Sequence, residues 1–435
     1  MRIPEIKKVM NVGAFISGGV IVRLVFLLTS AKHPADPLFV ADPYAYLLMA
    51  EHAYHGRFFV SFRGFPTSYL SVGYPAIIAV MRHLVLGLVS TWVVALLVNV
   101  LSFVATALAM TRLVPMLGVR MALTASAQRG AVLSSVGILA VFPDFVFATG
   151  LVMTELVAVA VLAWGIVLMG RCIEELRGFR DRLLSAAGGS VLFGLTVFVR
   201  PSMLLLIVPA LCVLVIRRRW IESLVAVPLF CLPLVPLAVN NVRVGAGPGI
   251  TSATWMNVCD GLVNRKGEFE WRRECRVTEL PGEGVTAATE SRNSHWAETI
   301  SLLYLRRHWI EWVGRMPLRV GRSIWSGGWA TEFSVHWAQN YVWTARLRLF
   351  LLLSQVISGV IAGLGLLQLG AMGVRKKTVW WPVLVVALGS LAGVLVSFGQ
   401  SRFGWPLTVL VFVPFASLLA GRLSAPFSGR TPSVG

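Results

Sequence analysis

The chain alternates long apolar runs with short polar breaks. Apolar runs lie near residues 10–30, 88–111, 129–150, 155–170, 183–199, 202–216, 222–239, 347–371, 379–399 and 405–421. Most approach the roughly 20 apolar residues that a helix needs to cross the hydrocarbon core of a bilayer. The pattern therefore predicts an all-α polytopic membrane protein with about ten transmembrane helices. Two long segments interrupt it, residues 31–87 and 240–346. These divide the chain into an N-terminal membrane region (1–239) whose first outer loop is 31–87, a polar loop region (240–346), and C-terminal hairpins with a short tail (347–435).

Charge placement orients this array. Lys7, Lys8, Arg120, Arg129, Arg171, Arg177, Arg180, Arg182, the triplet Arg217–Arg219 and Arg375–Lys377 all fall on one side if both termini are cytoplasmic, as the positive-inside rule requires. Segments 31–87 and 240–346 then face outward. The net charge of +19 is thereby assigned to anionic lipid and not to nucleic acid. Hydrophobic residues make up 56% of the chain and charged ones 14%, a composition that excludes an ordinary soluble domain. The basic, apolar N-terminus has Arg23 within its apolar run and no small-residue cleavage site, so it reads as a retained first span and not a signal peptide. The outward-facing Cys259 and Cys275 are expected to form a disulfide, since that side of a bacterial envelope is oxidising.

The stretch "ADPYAYLLMAEHAYHGRF", from Ala41, is unusually rich in titratable groups. Asp42 before Pro43 makes a helix N-cap with Pro at the first position, and Gly56 closes the helix. Tyr46, Leu47, Ala50 and Tyr54 form the apolar side of an amphipathic helix expected along the membrane surface, with Glu51, His52 and His55 on another side. His52 and His55, at i and i+3, leave a divalent metal open, although interfacial solvated histidines are the commoner explanation. Cap or chemistry is the alternative at Asp42.

Asp42, Tyr46, Ala50 and Gly56, followed by Gly73-Tyr74-Pro75, resemble the first outer loop of the GT-C membrane glycosyltransferases, which include the protein O-mannosyltransferases, the lipid A aminoarabinose transferases and the Rgt-like group. "MTELVAV" around Glu155 looks like the acidic second outer loop of that superfamily, and "FGLTVFVRPSMLLL" like its Gly…Arg-Pro hairpin. "NNVRVGAGPGITSATWMNVCDGL" is similar to the segment after the central spans, and "SRFGWPLTVLVFVP" to the late Arg…Pro hairpin. Asp42 is followed by Pro43 where an acidic pair is frequent in the superfamily, and Val72 stands where Pro often precedes Gly-Tyr-Pro.

The resemblance implies an inverting glycosyltransferase that moves a sugar from a polyprenyl-phosphate carrier to a lipid or glycan acceptor at the outer face of the cytoplasmic membrane, in cell-envelope glycan assembly. It implies Asp42 as general base, because the acceptor hydroxyl must lose a proton as it attacks. Glu155 is a second catalytic or acceptor-orienting candidate, its alternative being a helix-end anion. Arg200 and Arg402 occupy short outward turns where positive-inside bias makes Arg unexpected. Each is either a phosphate ligand or a headgroup anchor. Arg63, Tyr46 and Tyr74 complete the substrate-binding candidates, and Asp144 ranks below Glu155. Trp255, Trp271, Trp325 and Trp329 could stack on sugars or anchor the interface. Two rivals stand beside the enzyme: a flippase or transporter of lipid-linked glycans, which the absence of an internal repeat weakens, and a non-catalytic envelope-assembly subunit.

Overall fold

The computed structural model describes residues 3–30, 42–61, 63–121, 123–173, 178–245, 247, 249–263, 273–275, 287–325, 344–373, 386 and 405–423. Its helices are α1 (Ile3–Ser30), α2 (Asp42–Tyr54), α3 (Gly73–Leu84), α4 (Thr91–Arg120), α5 (Ala125–Val141), α6 (Pro143–Thr149), α7 (Glu155–Ile173), α8 (Phe179–Val199), α9 (Ile207–Ile216), α10 (Trp220–Cys231), α11 (Val235–Arg243), α12 (Ala253–Val263), α13 (Ala287–Trp325), α14 (Thr344–Gly373) and α15 (Val413–Leu423). Among the described residues seven helices are long and apolar enough to span a bilayer, or eight if the bent α5–α6 pair is one span. Of the ten expected runs, 202–216 is the one that the described residues show to fall short of a span. Pro201–Ile216 forms a 3₁₀ turn followed by a short apolar helix, below spanning length. The run 379–399 lies outside the described residues.

α7 is the centre of the bundle. It is apolar on nearly every side and buried from Glu155 to Ile173, as a helix that is hydrophobic all round should be. It packs mainly against α8 and α4. The approach to α8 is close because Gly189 faces the α7 backbone: a Cβ there would lie 3.2 Å from the Gly165 carbonyl oxygen. Small residues let membrane helices meet at this range, where dispersion contacts and not water exclusion supply the attraction.

The break between α5 and α6 explains Arg23. Pro143 has no backbone N–H, and the helix bends by 54° there. Two carbonyls at the end of α5 are taken up by the Arg23 guanidinium, which donates to Ala140 O (2.9 Å) and Leu139 O (2.8 Å), and to Gly19 O (3.0 Å). The same group lies 3.6 Å from the Phe103 ring centroid. A fully buried cation in a span thus serves the bend: it neutralises the negative end of α5.

α2 departs from expectation. It ends at Gly56 with φ +77°, the left-handed closure read from the sequence. However, it does not simply lie on the surface. Pro43, Ala45, Tyr46, Leu47, Met49, Ala50 and Ala53 are buried, more than half its circumference, against α3 and α4. Its polar side is tied down too. Arg82 of α3 bonds to Glu51 Oε2 (2.5 Å) and to Thr91 Oγ1 at the head of α4 (2.7 Å), and Thr91 also bonds to Glu51. Arg82 stacks on Tyr54, 4.0 Å from the ring centroid. Burial raises the Glu51 carboxyl, but the Arg82, Thr91 and His55 contacts together hold it below the usual carboxylate value.

In the segment between the two membrane regions, Cys259 of α12 is disulfide-bonded to Cys275, as the sequence predicts. The bridge closes a small buried cluster with Met256 and Ala297.

Candidate active site

Three separate stretches of sequence meet at the N-terminal end of α7. The first is Thr154-Glu155, where the carboxylate occupies the first turn of α7 and benefits from the positive helix end. The second is the α8 end. Arg200 follows Val199 with φ −138° and ψ 89°, and Pro201 begins the 3₁₀ turn, so the helix cannot continue and the Arg side chain is turned back. The third is the Gly73-Tyr74-Pro75 start of α3.

Arg200 Nη1 lies 2.5 Å from Glu155 Oε1 and 3.2 Å from Thr154 Oγ1. The Thr154 hydroxyl donates to Glu155 Oε2 at 3.3 Å, which leaves its lone pairs for Arg200. Both charged side chains are buried, at 6% and 2% exposure, which makes this a desolvated ion pair and not a surface one. Such a pair is costly to assemble and far costlier to half-dismantle.

α3 is pressed onto the same turn. Ser71 Oγ donates to the Phe198 carbonyl at 2.5 Å. A Cβ on Gly73 would sit 2.4 Å from that same oxygen, so only glycine fits. Tyr74 is wholly buried, its hydroxyl donating to Asn99 Oδ1 of α4 (3.0 Å). Asn99 Nδ2 in turn donates to Thr149 O (3.1 Å) and Leu151 O (2.7 Å), holding the segment that leads to Glu155. Burial pushes the Tyr74 phenol well above its ordinary value, and the Glu155 charge adds to this, so Tyr74 stays protonated. Tyr46 meets Tyr74 edge-on at 5.9 Å between centroids. Asp42 lies four residues before Tyr46 on α2, on the same helix face, and is half-buried at the helix start.

Of the residues singled out from sequence, Glu155, Arg200, Tyr74 and Tyr46 are therefore connected through contacts, and Asp42 adjoins them through α2. Arg63 is exposed at the tip of a tight hairpin, where its backbone N–H donates to Ser61 Oγ (3.2 Å). Arg402, Trp271 and Trp329 lie outside the described residues. Asp144 accepts from Trp405 Nε1 at 2.8 Å and is buried, while Trp405 stacks on Phe145, which couples α6 to the start of the Trp405–Leu423 span. Arg57 Nη2 lies 2.9 Å from His52 Nδ1, and His55 pairs with Glu51. No group of three metal-ligating side chains occurs among the described residues. Asn99 and Thr154 were not anticipated. A lone Asn inside the apolar run "VVALLVNVLSFV" was the signal for the first.

This chain is similar along almost its whole length to an archaeal oligosaccharyltransferase. Against AglB from Archaeoglobus fulgidus in complex with an inhibitory peptide and a dolichol-phosphate, 97% of the chain aligns with a TM-score of 0.53 at 13% identity. The apo form of the Archaeoglobus fulgidus oligosaccharyltransferase gives 0.55 over 96% at 12% identity. The fold is GT-C-like. ArnT from Cupriavidus metallidurans bound to undecaprenyl phosphate also matches, with a TM-score of 0.45 over 94% of this chain and 78% of that one at 13% identity. The chain spans about half the length of the oligosaccharyltransferase, 51%. No family model and no curated protein sequence matches it.

Proposed function

We propose that this multi-pass membrane protein is an inverting glycosyltransferase that takes its sugar from a polyprenyl-phosphate carrier and works at the outer face of the cytoplasmic membrane, with both termini inside. The observation that carries the reading is the buried Arg200–Glu155 pair at the outer end of the central helix. A desolvated guanidinium at that depth suits a phosphate that arrives on a lipid tail. Nucleotide sugars are confined to the cytoplasm, so an outward site needs a lipid-borne donor.

In the proposed reaction the acceptor hydroxyl oxygen attacks the anomeric carbon from the face opposite the phosphate. The C–O bond to phosphate breaks, the sugar inverts, and polyprenyl phosphate leaves with its electron pair. Asp42 takes the acceptor proton. Arg200 stabilises the charge that grows on the departing phosphate oxygen, and Arg402 is proposed to join it. Glu155, engaged with Arg200, is assigned to fix the guanidinium and not to abstract the proton. Tyr74 and Tyr46 are assigned to hold α2 against the site, and Arg63 to the rim. The acceptor is a lipid or glycan of the envelope.

The test is incubation of purified protein in vesicles with radiolabelled polyprenyl-phosphate sugars and envelope lipids. Label appearing on an acceptor supports transfer. Label that only crosses the vesicle membrane, still on its carrier, refutes transfer and makes the protein a flippase.

A further inference from the structure

Residues 67–69, just ahead of the Gly73-Tyr74-Pro75 turn, are gripped from two sides by groups with no part in the proposed chemistry. From α13, the buried Glu290 carboxylate accepts Thr67 Oγ1–H at 2.7 Å and the Ser68 N–H at 3.3 Å, and the Tyr69 N–H also bonds to it. From the other side, Asn240 Nδ2 of α11 donates to the Thr67 carbonyl at 2.8 Å. Thr251 Oγ1 reaches the Ser68 and Tyr69 carbonyls at 2.7 and 2.8 Å, and the Ser252 N–H reaches Ser68 O at 3.1 Å. Two residues on, Ser71 binds the Phe198 carbonyl, itself two residues before Arg200. Backbone and side-chain bonds thus run without a gap from the outer region into the candidate site.

We propose that Glu290 is a positioning residue: it clasps the Thr67–Tyr69 segment to the outer region and thereby sets Tyr74 against the Arg200 turn. Its importance for transfer rests on the function proposed above, but the clasp itself does not. All three donors that reach Glu290 are neutral, and no ion pair reaches it among the described residues. On the elements around it, Arg243 of α11 and Arg292 and His295 of α13 are exposed, and Asp260 of α12 is buried. Burial outweighs the three hydrogen bonds and lifts the Glu290 carboxyl to about 7. A raised folded-state value means that the contribution is fully present below the unfolded value and is lost as pH rises through the folded one. The clasp therefore loosens between about pH 4.5 and 7.

Hydrogen exchange of residues 67–74 in the purified full chain, corrected for intrinsic rates, reads this without any activity assay. In the wild type, protection should fall on the order of 10-fold to 10²-fold from pH 5 to pH 8. Glu290→Gln cannot ionise, and its amide N–H₂ meets a donor at Ser68, so protection should be lower at pH 5 and flat with pH. Thr67→Val, which removes one donor and leaves the carboxyl, should lower protection yet keep a pH slope. It also serves if Glu290→Gln fails to fold. Where transfer is measurable, Glu290→Gln should reduce kcat about tenfold or more, the scale of a small misplacement near the reacting groups. Wild-type protection with no pH slope, or a slope retained in Glu290→Gln, would overturn the clasp. A clasp seen by exchange in a protein that transfers no sugar would leave it standing and remove the proposed function instead.

Discussion

Arg200 and Glu155 are 45 residues apart in sequence, yet the guanidinium and carboxylate lie 2.5 Å apart, buried at the N-terminal end of α7. The contact exists because two chain breaks coincide in space. Pro201 ends α8 just as Glu155 begins α7, and Ser71 and Gly73 press α3 onto the same turn.

This pair makes a double prediction. Glu155→Gln strands a buried cation and should cost about 3–5 kcal/mol of stability. Arg200→Ala should also destabilise and should weaken donor binding by about 2–3 kcal/mol, with Arg200→Lys rescuing only partly because it lacks the planar fork. Replacing both by Met should restore most of the melting temperature but not donor affinity. Thermal unfolding and donor-lipid binding in one detergent separate the two. Normal donor affinity in the double variant would reduce the pair to packing.

Arg23 should behave in the opposite way, as structure without chemistry. Arg23→Met leaves the Leu139 and Ala140 carbonyls without their donor, at about 1–3 kcal/mol each. The melting temperature should fall while donor affinity per folded molecule holds. A selective loss of donor binding would place Arg23 on a substrate path instead.

The Cys259–Cys275 bridge closes a loop of 16 residues, worth about 3 kcal/mol on a chain-entropy estimate. Cys259→Ala with Cys275→Ala should therefore lower the unfolding temperature, and a reducing agent should do the same to the wild type but not to the variant. Free thiols at both positions in oxidised envelope preparations, found by peptide mapping, would contradict the bridge.

Much of this was legible in the sequence, and the failures have physical reasons. Span positions follow from apolar length alone, so α1, α4, α7 and α8 fell where hydropathy put them. Pro201–Ile216 did not, because hydropathy cannot register that Pro201 spends the first six residues on a 3₁₀ turn. The apolar stripe of α2 was visible, but its burial depends on Arg82 and Thr91 reaching across to Glu51, which no local pattern encodes. Arg200 and Glu155 were each identifiable by position. That they form one buried pair was not, since the two lie at the ends of different helices and meet only once α7 and α8 pack. Glu290 left no signal at all: in a polar segment one more carboxylate is unremarkable until its burial is seen.

Asp42 decides the proposed mechanism. As a helix cap, Asp42→Asn should be nearly silent, because Asn caps about as well. As general base, the amide cannot take the acceptor's proton, and turnover should drop by roughly 10²–10⁴. Donor binding should survive, since the proposed mechanism assigns the phosphate to Arg200 and not to Asp42. The decisive measurement is transfer rate and donor affinity of Asp42→Asn in the same preparation: a collapsed rate with intact donor affinity is expected, whereas near-wild-type transfer would return Asp42 to a capping role and contradict the mechanism.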